Sequence, residues 1–385
     1  MKSALIISSF LLLFLSTSID LLSSVVLSLS VFYILFFIDS LNKEIALRQF
    51  ILLVYSLNFL LAPFIINTYK DEVNLGFDFS LGSESSYFYI AISSIIFLHI
   101  GLFTIKTKIF NPNYNLVKID MFINERILRY FVYIGIFSDL ITFNSSNWVS
   151  YVLYLIGLLR YIGVFGLFII NKKKSIPFIL IIFAYSIYDT IRGGMFGNTI
   201  QWMAFFSLII FVEAKLSSFI NFFIILIGFV LIILVQQIKT DYRQKVWTES
   251  KESSISIFNE SINESQNDFS YTKQGLITNL ERLNQGWILN KVVNRMDARK
   301  NFQNFDLLIL YLESAFLPRF LAPNKLNAGD KEIFSKYTGH TLHGNTSMGL
   351  GVVADGYISF GMYGSILFSF FLGLFMGVIF KVIEK

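Results

Sequence analysis

The feature that most constrains this chain is a series of long apolar runs separated by short polar turns. A helix needs about 20 mostly apolar residues to cross a bilayer. Ten stretches approach or reach that length, and they are residues 3–18, 21–38, 48–66, 86–105, 127–143, 148–170, 175–191, 199–214, 218–236 and 359–380. The pattern predicts an all-α polytopic membrane protein with about ten transmembrane helices.

Composition leads to the same class. The chain is 55% hydrophobic and 15% charged, with a mean hydropathy of +0.62, whereas a soluble domain carries about 25% charged residues. It contains no cysteine, which excludes disulfides, iron–sulfur clusters and thiolate chemistry. We interpret the first run as a retained helix rather than a cleaved signal peptide, because no small-residue cleavage site follows it.

The basic residues orient the predicted spans. Cytoplasmic loops of membrane proteins are enriched in Lys and Arg. With ten spans and the N-terminus inside, the lysine run at 172–174 and most other basic residues fall inside, while the short outer loops carry only Lys70 and Arg192. We therefore predict a multi-pass membrane protein with both termini in the cytoplasm. Abundant Phe, Ile, Asn, Lys and Ser indicate an AT-rich bacterial genome. One long helix over 3–38 would instead leave nine spans and reverse the orientation.

This orientation predicts three segments: helices 1–9 in residues 1–235, a large outer loop in 236–358, and the last helix with its tail in 359–385. The outer loop contains Leu276, Leu280, Leu283 and Trp287 at helical spacing, which predicts an amphipathic helix. DLLILYLESAF (306–316) predicts a second short helix at the membrane interface. Residues 324–349, rich in Gly, Asn and Thr, are predicted to form a loop.

Two arginines near the predicted spans are candidates for anion binding. Arg160 lies near the middle of run 148–170, where a charge costs roughly 2.5–3.5 kcal/mol and usually faces a cavity or a partner. It could bind a diphosphate, or it could pair with Asp139 or Asp189. Arg192 precedes two glycines, whose N–H groups can form an anion-binding nest. The alternative for Arg192 is a structural interfacial arginine.

The outer loop adds further candidates. LPRFLAPNK contains Arg319 and Lys325, which could bind phosphate or snorkel at the membrane surface. His340 and His343 in YTGHTLHGNTSMG are candidates for a general base, or hydrogen-bonded loop residues. They lack a third ligand, and the sequence contains no HExxH, so we predict no metal site.

Other residues have mainly structural readings. His99 is predicted to be a packing or interface residue. Glu313 and Asp355 could each be a base or an ion-pair partner. Gly373 and Gly377 form a small-xxx-small pair, which is typical of helix packing. The sequence contains no GxxxxGK[ST] motif, so nucleotide-driven transport has no support.

The run of spans, the large outer loop, FLPRFLAPNK and GHTLHGNTSMGLGVVADGYISFGMYG resemble the Wzy-type O-antigen and oligosaccharide repeat-unit polymerases. Some members of that family carry outer-loop arginines with a glycine eleven residues further on. In this sequence no glycine lies eleven residues after any of the outer-loop arginines Arg243, Arg282, Arg295, Arg299 and Arg319. The match in motifs is therefore confined to about residues 317–364.

The resemblance implies a metal-independent glycosyltransferase without a cofactor that joins undecaprenyl-diphosphate-linked sugars into O-antigen, capsule or exopolysaccharide. In such an enzyme the diphosphate would be bound by Arg160, Arg192, Arg319 and Lys325. His343 would be the general base, and His340 is the second candidate for that role. The partners implied are the lipid-linked oligosaccharide, membrane lipids and a chain-length regulator, with no nucleic acid. Three alternatives stay open: an O-antigen ligase using the same donor, a lipid-linked sugar flippase or transporter, and a membrane sensor or scaffold.

Overall fold

The computed structural model describes residues 2–69, 81, 84–108, 124–142, 147–194, 196–248, 256–258, 260, 276–277, 280–299, 301–317, 321, 326, 331–342 and 348–384, and every regular element within these ranges is a helix. Contacts divide the chain into two compact units. Unit 1 comprises Met1–Ser40, Ala46–Thr107 and Leu276–Lys385, and unit 2 comprises Leu41–Ile45 and Lys108–Gly275.

Fifteen α-helices are named here in chain order, of which α1–α5 and α12–α15 belong to unit 1 and α6–α11 to unit 2. They are α1 (Lys2–Leu15), α2 (Leu21–Ser40), α3 (Leu47–Ser56), α4 (Ala62–Thr68), α5 (Glu84–Thr104), α6 (Glu125–Thr142), α7 (Asn147–Gly157), α8 (Leu159–Ile170), α9 (Lys172–Gly193), α10 (Phe196–Ala214), α11 (Ser218–Thr248), α12 (Gly286–Arg299), α13 (Asp306–Phe316), α14 (Lys331–Thr338) and α15 (Val352–Glu384). A π-helical turn, Leu57–Leu61, joins α3 to α4.

Each of the ten predicted spans overlaps a helix, and the predicted all-α fold is confirmed over the described residues. Within the described residues, seven helical stretches are long and apolar enough to cross a membrane. They are Leu21–Ser40, Leu47–Thr68, Ser86–Thr104, Val149–Ile170, Lys172–Arg192, Phe196–Ala214 and Val352–Glu384. The apolar parts of α1 and α11 are shorter, Ala4–Leu15 and Ser218–Ile232, so a count of ten spans stays a prediction.

The tightest helix pair of unit 1 is α5 against α15. A Cβ placed on Gly101 would lie only 2.2 Å from the Phe370 carbonyl oxygen, and one on Gly373 would lie 2.5 Å from the Leu98 carbonyl oxygen. A Cβ on Gly377 would lie 3.4 Å from the Ile105 Cβ. The predicted packing role of Gly373 and Gly377 is therefore confirmed, because small residues let the two backbones approach closely.

The predicted outer loop contributes helices to the core of unit 1. Helix α12 begins only at Gly286, so of the predicted stripe it contains Trp287 but not Leu276, Leu280 or Leu283. It buries Trp287, Ile288 and Val292, and α13 coincides with the predicted 306–316 helix. The prediction of a loop over 324–349 is wrong in part, because α14 lies inside it. Ile333, Phe334 and Tyr337, spaced for one helix face, are buried there, and this burial stabilises a helix despite the polar, glycine-rich sequence around it.

The last helix is not a single straight rod. Phe360 (φ −142°, ψ 20°) and Gly361 (φ 67°, ψ −152°) interrupt α15, and Gly361 adopts a backbone conformation that is essentially restricted to glycine. We call residues 352–359 the short arm and residues 362–384 the long arm. The predicted last span, 359–380, corresponds to the long arm.

The two arms fold back on each other. A Cβ placed on Gly356 would lie 2.7 Å from the Gly364 carbonyl oxygen, and the Ser365 hydroxyl donates a 2.8 Å hydrogen bond to the Val353 carbonyl. Residues eight apart in a continuous helix are about 12 Å apart along its axis. The chain therefore reverses at Phe360–Gly361, and this reversal places the short arm beside the first turn of the long arm.

Candidate functional site

Unit 2 holds Arg160 in an aromatic setting. Arg160 lies in the first turn of α8, just after the interruption at Leu158 that separates α7 from α8, and only 7% of its surface is exposed. Its guanidinium carbon lies 4.9 Å from the centre of the Tyr161 ring and 5.2 Å from that of Tyr185. Cation–π attraction of this kind is worth more when the pair is shielded from water.

Neighbouring side chains hold the Tyr161 ring in place beside Arg160. Its ring stacks on Trp202 at 4.3 Å between centroids. Its hydroxyl lies 2.9 Å from the Ser186 hydroxyl, which itself donates to the Ile182 carbonyl, so Tyr161 is the donor. Side chains from α8, α9 and α10 thus hold the ring against which the guanidinium packs.

The second predicted cation, Arg192, belongs to the same cluster. Tyr185, Asp189 and Arg192 lie at helical spacing on α9, on one face of the helix. The Tyr185 hydroxyl is close enough to Asp189, Arg160 and Arg192 to interact with all three charges. The structure therefore places two of the predicted diphosphate ligands near the same tyrosine, Arg160 buried and Arg192 exposed. Asp189, the predicted alternative partner of Arg160, lies near that tyrosine as well.

The remaining predicted site residues belong to unit 1 or lie outside the described residues. Arg319, Lys325 and His343 lie outside them. His340 is half-buried, and its ring packs edge-on against Trp287 at 5.6 Å. Its backbone N–H donates to the Thr338 hydroxyl at 3.1 Å, so the end of α14 and the core tryptophan position this histidine.

The predicted packing role of His99 is confirmed. Its ring lies against aromatic side chains of α2 and of its own helix α5, at centroid distances between 5.0 and 6.4 Å, and these are Phe32, Tyr33, Phe36 and Phe103. The described residues contain no group of three His, Asp or Glu placed to hold a metal ion.

Unit 1 also contains a groove that the sequence does not reveal. It has a volume of about 630 Å³ and lies between α13 and both arms of α15. Its walls are apolar and include Phe305, Leu308, Leu312, Leu367, Phe371 and Phe375. The polar side chains along it are Tyr311, Asp355 and Ser359. The Tyr311 hydroxyl donates a 3.2 Å hydrogen bond to the Asp355 carboxylate.

A family match covers residues 87–385, and the family is described as a domain of unknown function, DUF8712. The chain belongs to this family. No curated protein and no solved structure matches the chain. In this DUF8712 chain the Arg160 cluster and the groove both fall within the matched residues, whereas α1–α4 precede them.

Proposed function

We propose that this chain is a membrane glycosyltransferase that joins undecaprenyl-diphosphate-linked oligosaccharide repeat units into a polysaccharide outside the inner membrane. The observation that carries the proposal is the cluster of Arg160 and Arg192 around Tyr185. A cation buried within a membrane helix is costly and usually marks a functional site. A lipid diphosphate is an anion that two arginines can bind, and the resemblance to repeat-unit polymerases supports this ligand.

The two arginines would act on the leaving group. In the transfer, an acceptor sugar hydroxyl forms a new bond to the anomeric carbon of the donor glycan. The bond from that carbon to the diphosphate oxygen breaks, and its electron pair leaves on the diphosphate. Arg160 and Arg192 would stabilise this developing charge. His343 would accept the proton of the hydroxyl, and His340 is the second candidate for this role.

Charge pairs within unit 2 support the proposed placement of one end of α6, α9 and α10 on the cytoplasmic side. Lys172 pairs with Glu213 at 2.5 Å, and Lys174 pairs with Glu125 at 3.4 Å. These residues come from the start of α6, the start of α9 and the end of α10, so one end of these helices concentrates charge. Several lysines and arginines lie at this end, which supports its assignment to the cytoplasmic side under the positive-inside rule.

Glycan analysis of a deletion strain tests the proposed function. We expect the strain to lose the polysaccharide ladder and to keep single repeat units. Wild-type protein should restore the ladder, whereas Arg160→Ala, Arg319→Ala and His343→Ala should not. Losing one charge-stabilising donor lowers kcat by about 10²–10³. Lys173→Ala, at the opposite end of α9 from Arg192, is the control and should restore the ladder at matched expression.

Three results would contradict the proposal. An intact ladder in the deletion strain would show that the chain is not needed for polymerisation. Long glycan retained on the carrier lipid would identify a ligase. Full restoration by all three alanine variants would reject the assigned site and leave a scaffold or sensor as the better reading.

A further inference from the structure

We propose that Tyr185 controls the access of an anion to Arg160. Its ring covers the guanidinium in the conformation described above and moves aside when a diphosphate binds. This inference rests on the proposed function, because it takes a polyprenyl diphosphate as the anion. It concerns unit 2 alone, where both residues lie.

Arg160 is closed to an anion in this conformation. Only 7% of the residue is exposed, and its Nε and Nη1 atoms are buried. Its Nη2 atom lies 3.4 Å from the Tyr161 hydroxyl, to which it donates. A phosphate oxygen must come within about 2.7–2.9 Å of a guanidinium nitrogen to form a charge-assisted hydrogen bond. A neighbouring side chain must therefore move before a diphosphate can bind Arg160.

Two aromatic rings pack against the guanidinium, and the Tyr161 ring is held in place. It stacks on Trp202 with only 7° between the two ring planes. Its hydroxyl is hydrogen-bonded to that of Ser186, and the residue is 3% exposed. Rotation of Tyr161 would break the stack and the hydrogen bond together, so this ring stays where it is when an anion arrives.

The other ring, that of Tyr185, has no such restraints. It lies 5.2 Å from the guanidinium carbon of Arg160 and is half-buried. Within the part of the chain that the structure describes, the Tyr185 ring stacks on no other ring and its hydroxyl forms no hydrogen bond. Partly exposed side chains without such contacts change rotamer rapidly. Of the two rings that cover Arg160, Tyr185 is therefore the one that can move.

The position of Tyr185 on α9 connects the buried arginine to exposed charge. Tyr185, Asp189 and Arg192 lie on one face of the helix, and the last two are exposed. Tyr185 is close enough to interact with the charges of both, and with that of Arg160. The charges of the two arginines outweigh that of Asp189, so this face attracts an anion. An anion at Arg192 is then close to the ring that covers Arg160.

The contact between Tyr185 and Arg160 competes with the anion. When only an open state binds a ligand, the apparent affinity is reduced in proportion to the population of that state. A cation–π contact of roughly 0.5–2 kcal/mol holds the closed state, which corresponds to a factor of about 2 to 30 in affinity. Removing the ring should therefore strengthen binding by this factor. A tyrosine that bound the diphosphate itself would have the opposite effect.

Titration calorimetry of the full-length protein in mild detergent tests this inference. The probe is farnesyl diphosphate, a short polyprenyl diphosphate, and farnesol has the same chain without the charge. We expect the wild type to bind the diphosphate but not farnesol. Tyr185→Ala should bind the diphosphate more tightly by the factor given above. Tyr185→Phe keeps the ring and should bind as the wild type does.

Further variants locate the effect. Tyr185→Leu has an apolar side chain without a π face and should show the same gain, also if Tyr185→Ala fails to fold. Tyr130→Ala removes an exposed tyrosine of α6 and should bind as the wild type does. Arg160→Ala should bind weakly. Adding Tyr185→Ala to it should bring no gain, because the ring then covers no cation, and this double-mutant cycle isolates the pair.

The results separate this inference from the proposed function. Unchanged or weaker binding by Tyr185→Ala and Tyr185→Leu would overturn the inference, whereas a loss of binding in Arg160→Ala would still support the diphosphate site. Weaker binding by Tyr185→Phe would make the hydroxyl a ligand and overturn the role in access. The same gain without Arg160 would place the effect elsewhere. If neither the wild type nor Tyr185→Ala bound farnesyl diphosphate, the inference and the diphosphate site would both be rejected.

Discussion

The Tyr87 hydroxyl donates a 2.7 Å hydrogen bond to the backbone carbonyl of Phe59. Pro63, four residues further on, has no N–H to donate to this carbonyl. In an α-helix the carbonyl of residue 59 accepts from the N–H of residue 63, and proline has none. The neighbouring Asn58 carbonyl accepts from the Gln285 N–H at 3.2 Å. Donors from α5 and from the segment before α12 thus satisfy carbonyls that the π turn and the proline leave without helical donors.

Removing the Tyr87 hydroxyl should destabilise unit 1. Tyr87 is fully buried, so Tyr87→Phe leaves a buried carbonyl unsatisfied, at a cost of about 1–3 kcal/mol. Thermal unfolding in detergent measures the effect. Tyr89→Phe, on the exposed side of the same helix, is the control and should leave the midpoint unchanged. Equal midpoints for the two variants would show that the Phe59 carbonyl finds another donor.

The contact between Gly101 and Gly373 should not tolerate a methyl group. In Gly101→Ala the new Cβ would meet backbone atoms of α15, which cannot rotate away, so α5 and α15 must separate. Overpacking of this kind typically costs about 1–3 kcal/mol. Gly228→Ala is the control, since a Cβ there meets nothing within 4 Å and alanine favours the helix. A midpoint for Gly101→Ala at or above the wild type would contradict the close packing.

The reversal in α15 should depend on Gly361. Alanine strains the backbone at this φ and ψ by about 1–3 kcal/mol, and its methyl group would lie 3.1 Å from the Phe302 ring. Gly361→Ala should therefore lower the unfolding midpoint. Gly349→Ala, with open space around it, should leave the midpoint unchanged. Wild-type behaviour of Gly361→Ala would argue for a straight α15.

The orientation can be tested without background labelling, because the chain contains no cysteine. Single substitutions Lys173→Cys and Asn301→Cys introduce thiols at two exposed positions. An impermeant maleimide applied to spheroplasts should label Asn301→Cys at once and Lys173→Cys only after permeabilisation. The reverse pattern would place the predicted outer segment in the cytoplasm, where the proposed sugar transfer has no substrate.

The local pattern of the chain was enough to predict much of the helical structure. The boundaries of α13 follow from DLLILYLESAF, and the helix-packing role of Gly373 and Gly377 follows from their four-residue spacing. These features depend on residues three to seven apart, which a helix brings onto one face whatever surrounds it. Helix α14 was not predicted, because its apolar residues Ile333, Phe334 and Tyr337 stand among polar ones. Their burial stabilises a helix only because the fold places a core around Trp287 next to them.

Length, apolar periodicity and the placement of Lys and Arg therefore specify an all-helical membrane chain and its expected orientation, since each is a short-range or compositional property. Three features were decided by the tertiary structure alone. They are the proximity of Arg160 and Arg192 to Tyr185, the packing of His340 against Trp287, and the groove beside Asp355. Each of these joins residues that are distant along the chain or separated by a backbone reversal at Phe360–Gly361. Such contacts depend on how helices pack against one another, and the spacing of residues along the sequence does not determine that packing.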